Sequence, residues 1–189
     1  MTAKLPKIGI LGLQGAFQKH LEMFKRIGAD AEIVVYPEQL RHIDGLVIPG
    51  GESTTMTKVI DDMRLRVELD TFRGPMFGTC AGAIMLSNDP RDARIRPLNR
   101  MQVTLDRNGF GRQVDSFIQD VELGIDQAPF RGIFIRAPRI VGIFDGVEIL
   151  GKIEDEVVFV RNSNNLLTTF HPELSNDARI HEYFINRFF

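Results

Sequence analysis

The chain has 189 residues, of which 43% are hydrophobic and 25% charged. That is the balance of a folded globular chain and excludes a largely disordered one. Lys plus Arg number 23 and Asp plus Glu 25, a formal net charge of −2, which argues against a nucleic-acid binder working through bulk positive charge. No apolar run approaches the ~20 residues a membrane helix needs, and no signal-peptide core follows the polar first six residues. The lone Cys80 cannot make an internal disulfide. The expectation is a single cytoplasmic domain over residues 1–189 with no membrane or nucleic-acid partner.

Residues 7–13 (KIGILGL) form a short apolar run and read as a buried strand ending at Gln14-Gly15. Residues 16–27 shift to helical spacing, with Phe17, Leu21 and Phe24 on one face and Gly28 as the stop. Residues 31–36 and 45–48 are further strands, the second ending in Pro49-Gly50-Gly51. Residues 54–72 read as mostly helical, 75–79 as a strand, and 81–87 as a helix beginning directly after Cys80. This alternation is that of a parallel α/β sheet. Residues 88–99, rich in Arg, Asp and Pro, read as a mobile surface loop. Seven strand-like runs follow, at 101–105, 116–123, 132–135, 139–143, 147–153, 157–160 and 166–170. They are separated by turns rather than helices, so this half is expected to add antiparallel strands. Residues 176–189 close the chain as a helix with Ile180, Phe184 and Phe188 at four-residue spacing.

The sharpest chemical signal is Gly78-Thr79-Cys80-Ala81-Gly82 between a strand and a helix. Small neighbours permit a tight turn that presents a nucleophile, as in the Gly-x-Ser-x-Gly elbow. A helix N-terminus favours thiolate, and the Ala81 amide would face the same space. The alternative is a small buried cysteine. A thiol nucleophile needs a base and the base an orienter. His171-Pro172-Glu173 follows a strand directly; two residues apart in an extended segment, His171 and Glu173 point the same way. A solvated loop pair is the bland alternative. His20 and His181 lie in the first and last helices and read as surface or packing residues; His42 lies in a loop. The histidines and lone cysteine do not cluster with metal-ligand spacing, so no metal is expected.

Pro49-Gly50-Gly51-Glu52-Ser53-Thr54 lets backbone approach a ligand, or is simply a turn with an N-cap at Ser53 or Thr54. It lacks the ending of a phosphate loop. The stretches 107–112 (RNGFGR) and 135–138 (IRAP) offer arginine forks for a carboxylate. Residue chemistry alone leaves open whether Arg107 or Arg112 faces a pocket.

Taken together, GILGLQGA (9–16), PEQL (37–40), DGLVIPGGESTTM (44–56), PMFGTCAG (75–82), RNGFGRQVDSF (107–117), FIRAP (134–138) and FHPEL (170–174) resemble the class I, triad-type glutamine amidotransferases. Within them the similarity is to the branch of glutaminase subunits of pyridoxal 5′-phosphate synthases. The resemblance implies a three-layer, flavodoxin-like α/β domain with a mostly parallel sheet. It implies hydrolysis of L-glutamine to glutamate and ammonia through a thioester on Cys80. His171 would move the proton, Glu173 would orient it, and the amides of Gly51 and Ala81 would form the oxyanion hole. Gly51, Glu52, Ser53, Arg107, Ile135 and Arg136 would line the glutamine site, with Glu52 toward the ammonium and an arginine toward the carboxylate. The family pattern favours Arg107. Gln14 would lie near the oxyanion region or a partner interface. No metal or organic cofactor is implied, and the partner would be a (β/α)₈-barrel synthase subunit that receives ammonia for vitamin B6 synthesis. Another cysteine hydrolase on the same fold and a non-catalytic binding subunit are the competing readings.

Overall fold

A computed structural model describes residues 5–107 and 116–189. Among these, strands β1 (Lys7–Leu11), β2 (Asp30–Val34), β3 (Gly45–Ile48), β4 (Met76–Thr79) and β12 (Asn165–Thr168) run parallel. Strands β11 (Glu156–Arg161), β10 (Glu148–Ile153), β7 (Ser116–Leu123) and β8 (Phe130–Ile135) extend the sheet antiparallel. The order is β2-β1-β3-β4-β12-β11-β10-β7-β8. The parallel part comes from the helix-punctuated half plus one late strand, which inserts beside β4. Strands β5 (Ser87–Asp89), β6 (Met101–Asp106) and β9 (Arg139–Ile143) form a separate small sheet, which the sequence reading did not separate.

The central strands read as continuous apolar runs because both their faces are covered. Leu46 and Ile48 of β3, Met76 of β4 and Leu167 of β12 pack on one side against α2 (Ser53–Asp62), α3 (Arg66–Thr71) and α4 (Ala81–Leu86). Val47, Phe77 and Leu166 alternate to the other side, against α1 (Phe17–Arg26) and α5 (Arg179–Phe188). The result is three layers with a core on each face of the sheet.

Three local differences from the sequence reading have physical causes. Strand β2 stops at Val34 because the amides of Val35 and Tyr36 turn to the Gln39 side chain, at 2.8 and 2.9 Å, opening a 3₁₀ turn over Pro37–His42. The single helix expected over 54–72 is two. Arg64 adopts φ 59°, and Leu65 N–H bonds back to Ile60 O at 2.9 Å, a Schellman-type closure that needs no glycine here. The stretch 88–99 is irregular after β5 but is not a free surface loop. Ile95 and Leu98 are buried, and Leu98 N–H donates to Met85 O at 2.7 Å.

At Gly82 helix α4 meets the sheet backbone to backbone. A Cβ at Gly82 would stand 1.8 Å from Ile48 O, inside any tolerable contact. Gly146 has φ +83° but nothing within 4 Å. Gly82→Ala is therefore expected to cost about 3 kcal/mol or more through forced separation of strand and helix. Gly146→Ala should cost only the left-handed penalty of about 1–2 kcal/mol. Urea unfolding of the two variants measures the contrast.

Candidate active site

Strand β4 delivers Cys80 to its carboxyl end. Cys80 N–H donates to Thr168 O of β12 at 2.9 Å, so the ladder holds the backbone up to Cys80 itself. The chain then turns sharply: Cys80 has φ 49° and ψ −106°, and α4 begins at the next residue. A non-glycine residue held at positive φ is strained and persists only where its surroundings enforce it. The flanking glycines are part of that enforcement, since a Cβ at Gly78 would lie 2.6 Å from Gly82 O. The thiol is free, buried, and lies 3.6 Å from Ile135 O.

His171 arrives from the end of β12. Its amide donates to Ile133 O of β8 at 2.8 Å, which draws the far edge of the sheet over the site. The imidazole and the Cys80 side chain both border Gly50, and His171 Nδ1 lies 2.7 Å from Glu173 Oε1. An ionised carboxylate only accepts, so Nδ1 carries the proton and Nε2 is left for the thiol. Residues 171–173 do not run extended as the spacing argument supposed. Pro172–Leu174 is a 3₁₀ turn, and its curl brings Glu173 beside the imidazole. Gly50 seals this corner: a Cβ there would meet His171 Cε1 at 2.3 Å and Cys80 Cβ at 3.3 Å.

His20 and His181 are not surface residues. Both are fully buried, and they stand behind Glu173. His20 Nε2 is 3.3 Å from Glu173 Oε2 and 3.3 Å from Thr79 Oγ1, while His20 Nδ1 is 2.9 Å from His181 Nε2. A sequence signal existed for both. His20 shares the apolar face of α1 with Phe17, Leu21 and Phe24, and His181 sits between Ile180 and Phe184 on that of α5.

The Gly50-Gly51 turn is braced from β1. Gln14 Nε2 donates to Glu52 O at 2.7 Å, and Gly15, at φ +76°, has no room for a Cβ beside Gly50 O. Helix α2 begins at Ser53, so the cap is Glu52 rather than Ser53 or Thr54. Its carboxylate accepts from the Thr54 and Thr55 amides and the Thr54 hydroxyl. It also pairs with Arg107, which reaches Asp92 at 3.4 Å on its other side. Glu52 and Arg107, expected at opposite ends of a glutamine, thus meet each other. Arg112 lies outside the described residues. Ser53 Oγ is buried without a hydrogen-bond partner among the described residues. Ile135 and Arg136 are exposed at the rim, with Arg136 at φ 45°. Among the described residues no group of three His, Cys, Asp or Glu side chains is placed to hold a metal ion.

Burial disfavours charge on His171, but the Cys80 sulfur and the Glu173 carboxylate outweigh it and push the imidazole up to about 10. Burial likewise works against the Glu173 anion; His20 and His171 prevail and hold it below the usual carboxylate range. His20 and His181 are pushed down, chiefly by burial, so they are neutral at pH 7. Glu52 is also desolvated, yet its hydrogen bonds from Thr54 and Thr55 hold it at about 2. Nitrogen NMR of the imidazoles should therefore show His171 keeping its second proton up to a pH of about 10, with His20 and His181 neutral throughout pH 7–9. A His171 titrating near 6.5 would contradict this electrostatic picture.

The profile of the SNO glutamine amidotransferase family matches residues 10–189. The chain is 44% identical over 185 residues to the protein named pyridoxal 5′-phosphate synthase subunit PdxT of Carboxydothermus hydrogenoformans, covering 96% of this chain and 97% of that one. It is 46% identical over 183 residues to the protein of the same name from Geobacillus kaustophilus, covering 95% and 93%. A crystal structure titled glutamine amidotransferase superimposes with a TM-score of 0.88 at 39% identity, covering 95% of this chain and 97% of that one. The structure of PurLQS from Thermotoga maritima shares the fold at a TM-score of 0.69 and 13% identity, covering 97% and 99%. With nearly the whole chain matched, and a buried thiol, imidazole and carboxylate meeting where β4 and β12 end, the chain belongs to the SNO glutamine amidotransferase family.

Proposed function

We propose that this protein is the glutaminase subunit of a pyridoxal 5′-phosphate synthase, with Cys80, His171 and Glu173 as its catalytic residues. The observation that carries the reading is Cys80 at a strained strand–helix turn, with His171 against it and Glu173 2.7 Å behind. With the thiol's proton already held on His171 Nε2, the sulfur attacks the side-chain carbonyl carbon of L-glutamine. The oxyanion is received by the amides of Ala81 and Gly51. His171 gives its proton to the leaving nitrogen as the C–N bond breaks, releasing ammonia and leaving a glutamyl thioester. Water, deprotonated by His171, then hydrolyses the thioester to glutamate. Glu173 keeps the imidazole in the tautomer this sequence needs.

Gly51, Glu52, Ser53, Arg107, Ile135 and Arg136 form the glutamine site. Because Glu52 already accepts from the start of α2, its part is to hold Arg107 for the substrate carboxylate as well as to offer an oxygen toward the ammonium. The single domain over residues 1–189 works in the cytoplasm, without a cofactor of its own. It delivers ammonia to a (β/α)₈-barrel synthase subunit through a closed route, since free ammonia at neutral pH is mostly lost to protonation.

Glutamate release from L-glutamine, measured with and without that synthase subunit, tests the reading. Strong stimulation by the partner is expected. Cys80→Ala should lower it by at least ~10³-fold, while synthesis from added ammonium salts survives. Activity on glutamine unchanged in Cys80→Ala would end the catalytic assignment. Arg107→Ala should raise KM for glutamine roughly 10- to 100-fold with a smaller fall in kcat, the loss of one charged hydrogen-bond partner for the substrate.

A further inference from the structure

We propose that His20 and His181 are positioning residues for the glutaminase reaction, a buried two-imidazole relay that holds the Glu173 carboxylate in place for His171. The inference rests on the catalytic reading of Cys80, His171 and Glu173 given above. Glu173 is almost wholly buried, and only one of its oxygens, Oε1, has a hydrogen bond of good geometry, from His171. Oε2 is enclosed and makes no such bond among the described residues; His20 Nε2 stands 3.3 Å from it. A buried carboxylate oxygen without a donor drives the group to swing or to take up a proton. The ring nitrogen of His20 answers that need.

The proton positions follow along the chain of contacts. Ionised Glu173 can only accept, so His20 Nε2 carries the hydrogen and shares it with Thr79 Oγ1, also at 3.3 Å. His20 Nδ1 is then a bare acceptor, and His181 Nε2 must be the donor across 2.9 Å. That leaves His181 Nδ1 as an unprotonated lone pair. It is the one ring nitrogen of the pair that is buried and without a partner among the described residues. An unpartnered lone pair costs less than an unpartnered N–H, so the arrangement places the unmet group at the cheapest end. The contacts run one way: His181 donates to His20, His20 Nε2 lies between Thr79 Oγ1 and Glu173 Oε2, and His171 donates to the other carboxylate oxygen. Such aligned bonds polarise one another in a low-dielectric interior.

Simple packing does not account for this pair. The rings sit among Phe24, Phe77 and Phe184, where an apolar side chain would serve as well at no desolvation cost. Instead two polar rings from α1 and α5 meet nitrogen to nitrogen on a line to Glu173. The titratable groups facing Glu173 are His171 on its own turn, His20 from α1, His181 from α5 behind it, and Cys80 beyond His171. Lys19, Glu22 and Arg26 of α1 line the hollow on its solvent side.

The test is steady-state glutaminase kinetics against pH for the complex with the synthase subunit. The wild type is compared with His20→Phe, His20→Gln and His181→Phe, and folding is checked by thermal denaturation. His20→Phe should lower kcat roughly 10- to 100-fold with little change in KM, as loss of an outer hydrogen-bond partner does elsewhere. Its acid limb of kcat should also move to higher pH, because Glu173 loses the N–H that favours its anion. His20→Gln, whose amide can offer an N–H, should recover most of both effects, and His181→Phe should fall between. A folded His20→Phe with wild-type kcat and an unmoved acid limb would overturn the relay, as would a glutamine variant no better than the phenylalanine one. If His20→Phe does not fold, His181→Phe decides on the same two readouts. A wild-type complex without Cys80-dependent glutaminase activity would sink the functional reading and the relay with it. An active wild type indifferent to these substitutions would sink the relay alone.

Discussion

Everything at this site depends on a helix and the sheet approaching each other backbone to backbone at two glycines. Where β4 runs into α4, the carbonyl of Ile48 leaves no space for a Cβ at Gly82, and Gly82 O leaves none at Gly78. That contact forces the intervening residue into a left-handed conformation, and the residue is Cys80. Strain of this kind is kept only when the surroundings offset it. Here they do so with the β12 ladder on one side and two apolar cores above and below the sheet. The amino end of a helix and the thiol therefore share one point in space, the geometry that an oxyanion formed at a nucleophile requires.

The rest of the site is drawn to that point by backbone rather than by side-chain affinity. Strand β8 lies at the antiparallel edge, remote from β4 in strand order. Its carbonyls nevertheless reach His171 N–H, from Ile133, and the Cys80 sulfur, from Ile135. The antiparallel half thus contributes a wall to a site whose chemistry comes from the parallel half. The Gly50-Gly51 turn after β3 closes another side, pressed against His171 and braced by Gln14. Three strand ends and one sheet edge converge there, consistent with the tendency of open α/β sheets to bind ligands beyond the carboxyl ends of their strands.

Charge is handled differently in the two parts of the site. Around Glu52, Arg107 and Asp92 the groups are partly exposed and neutralise one another in pairs, so each is available for exchange with a zwitterionic substrate at modest cost. Around Glu173 the packing is closed; one carboxylate oxygen meets His171 Nδ1 at 2.7 Å and the other has His20 Nε2 at 3.3 Å. The first arrangement suits reversible recognition. The second suits holding one proton on one nitrogen.

The residues by themselves determined four of the five parallel strands of the large sheet, but not that the late strand β12 would join them, and they marked the segments that carry Cys80, His171 and Glu173. A short apolar run bounded by glycines and turns reads as an inner strand, and glycines flanking a lone cysteine between strand and helix mark a tight turn. The strands of the later half were legible for the same reason, since their lengths and turns are local properties. Tertiary structure alone decided which strands joined which sheet, and that Arg64 could end a helix without glycine. It also decided that 88–99 would be pinned by Ile95 and Leu98, and that Glu52 would spend its carboxylate on a helix start and on Arg107. It decided above all the role of His20 and His181. Their places on apolar helix faces showed that they would be buried, but residues 20, 173 and 181 become neighbours only when α1, α5 and the turn after β12 pack together. Burial can be read from periodicity along the chain. A hydrogen-bond partner far away in sequence cannot, because only packing sets the angle at which two ring nitrogens meet.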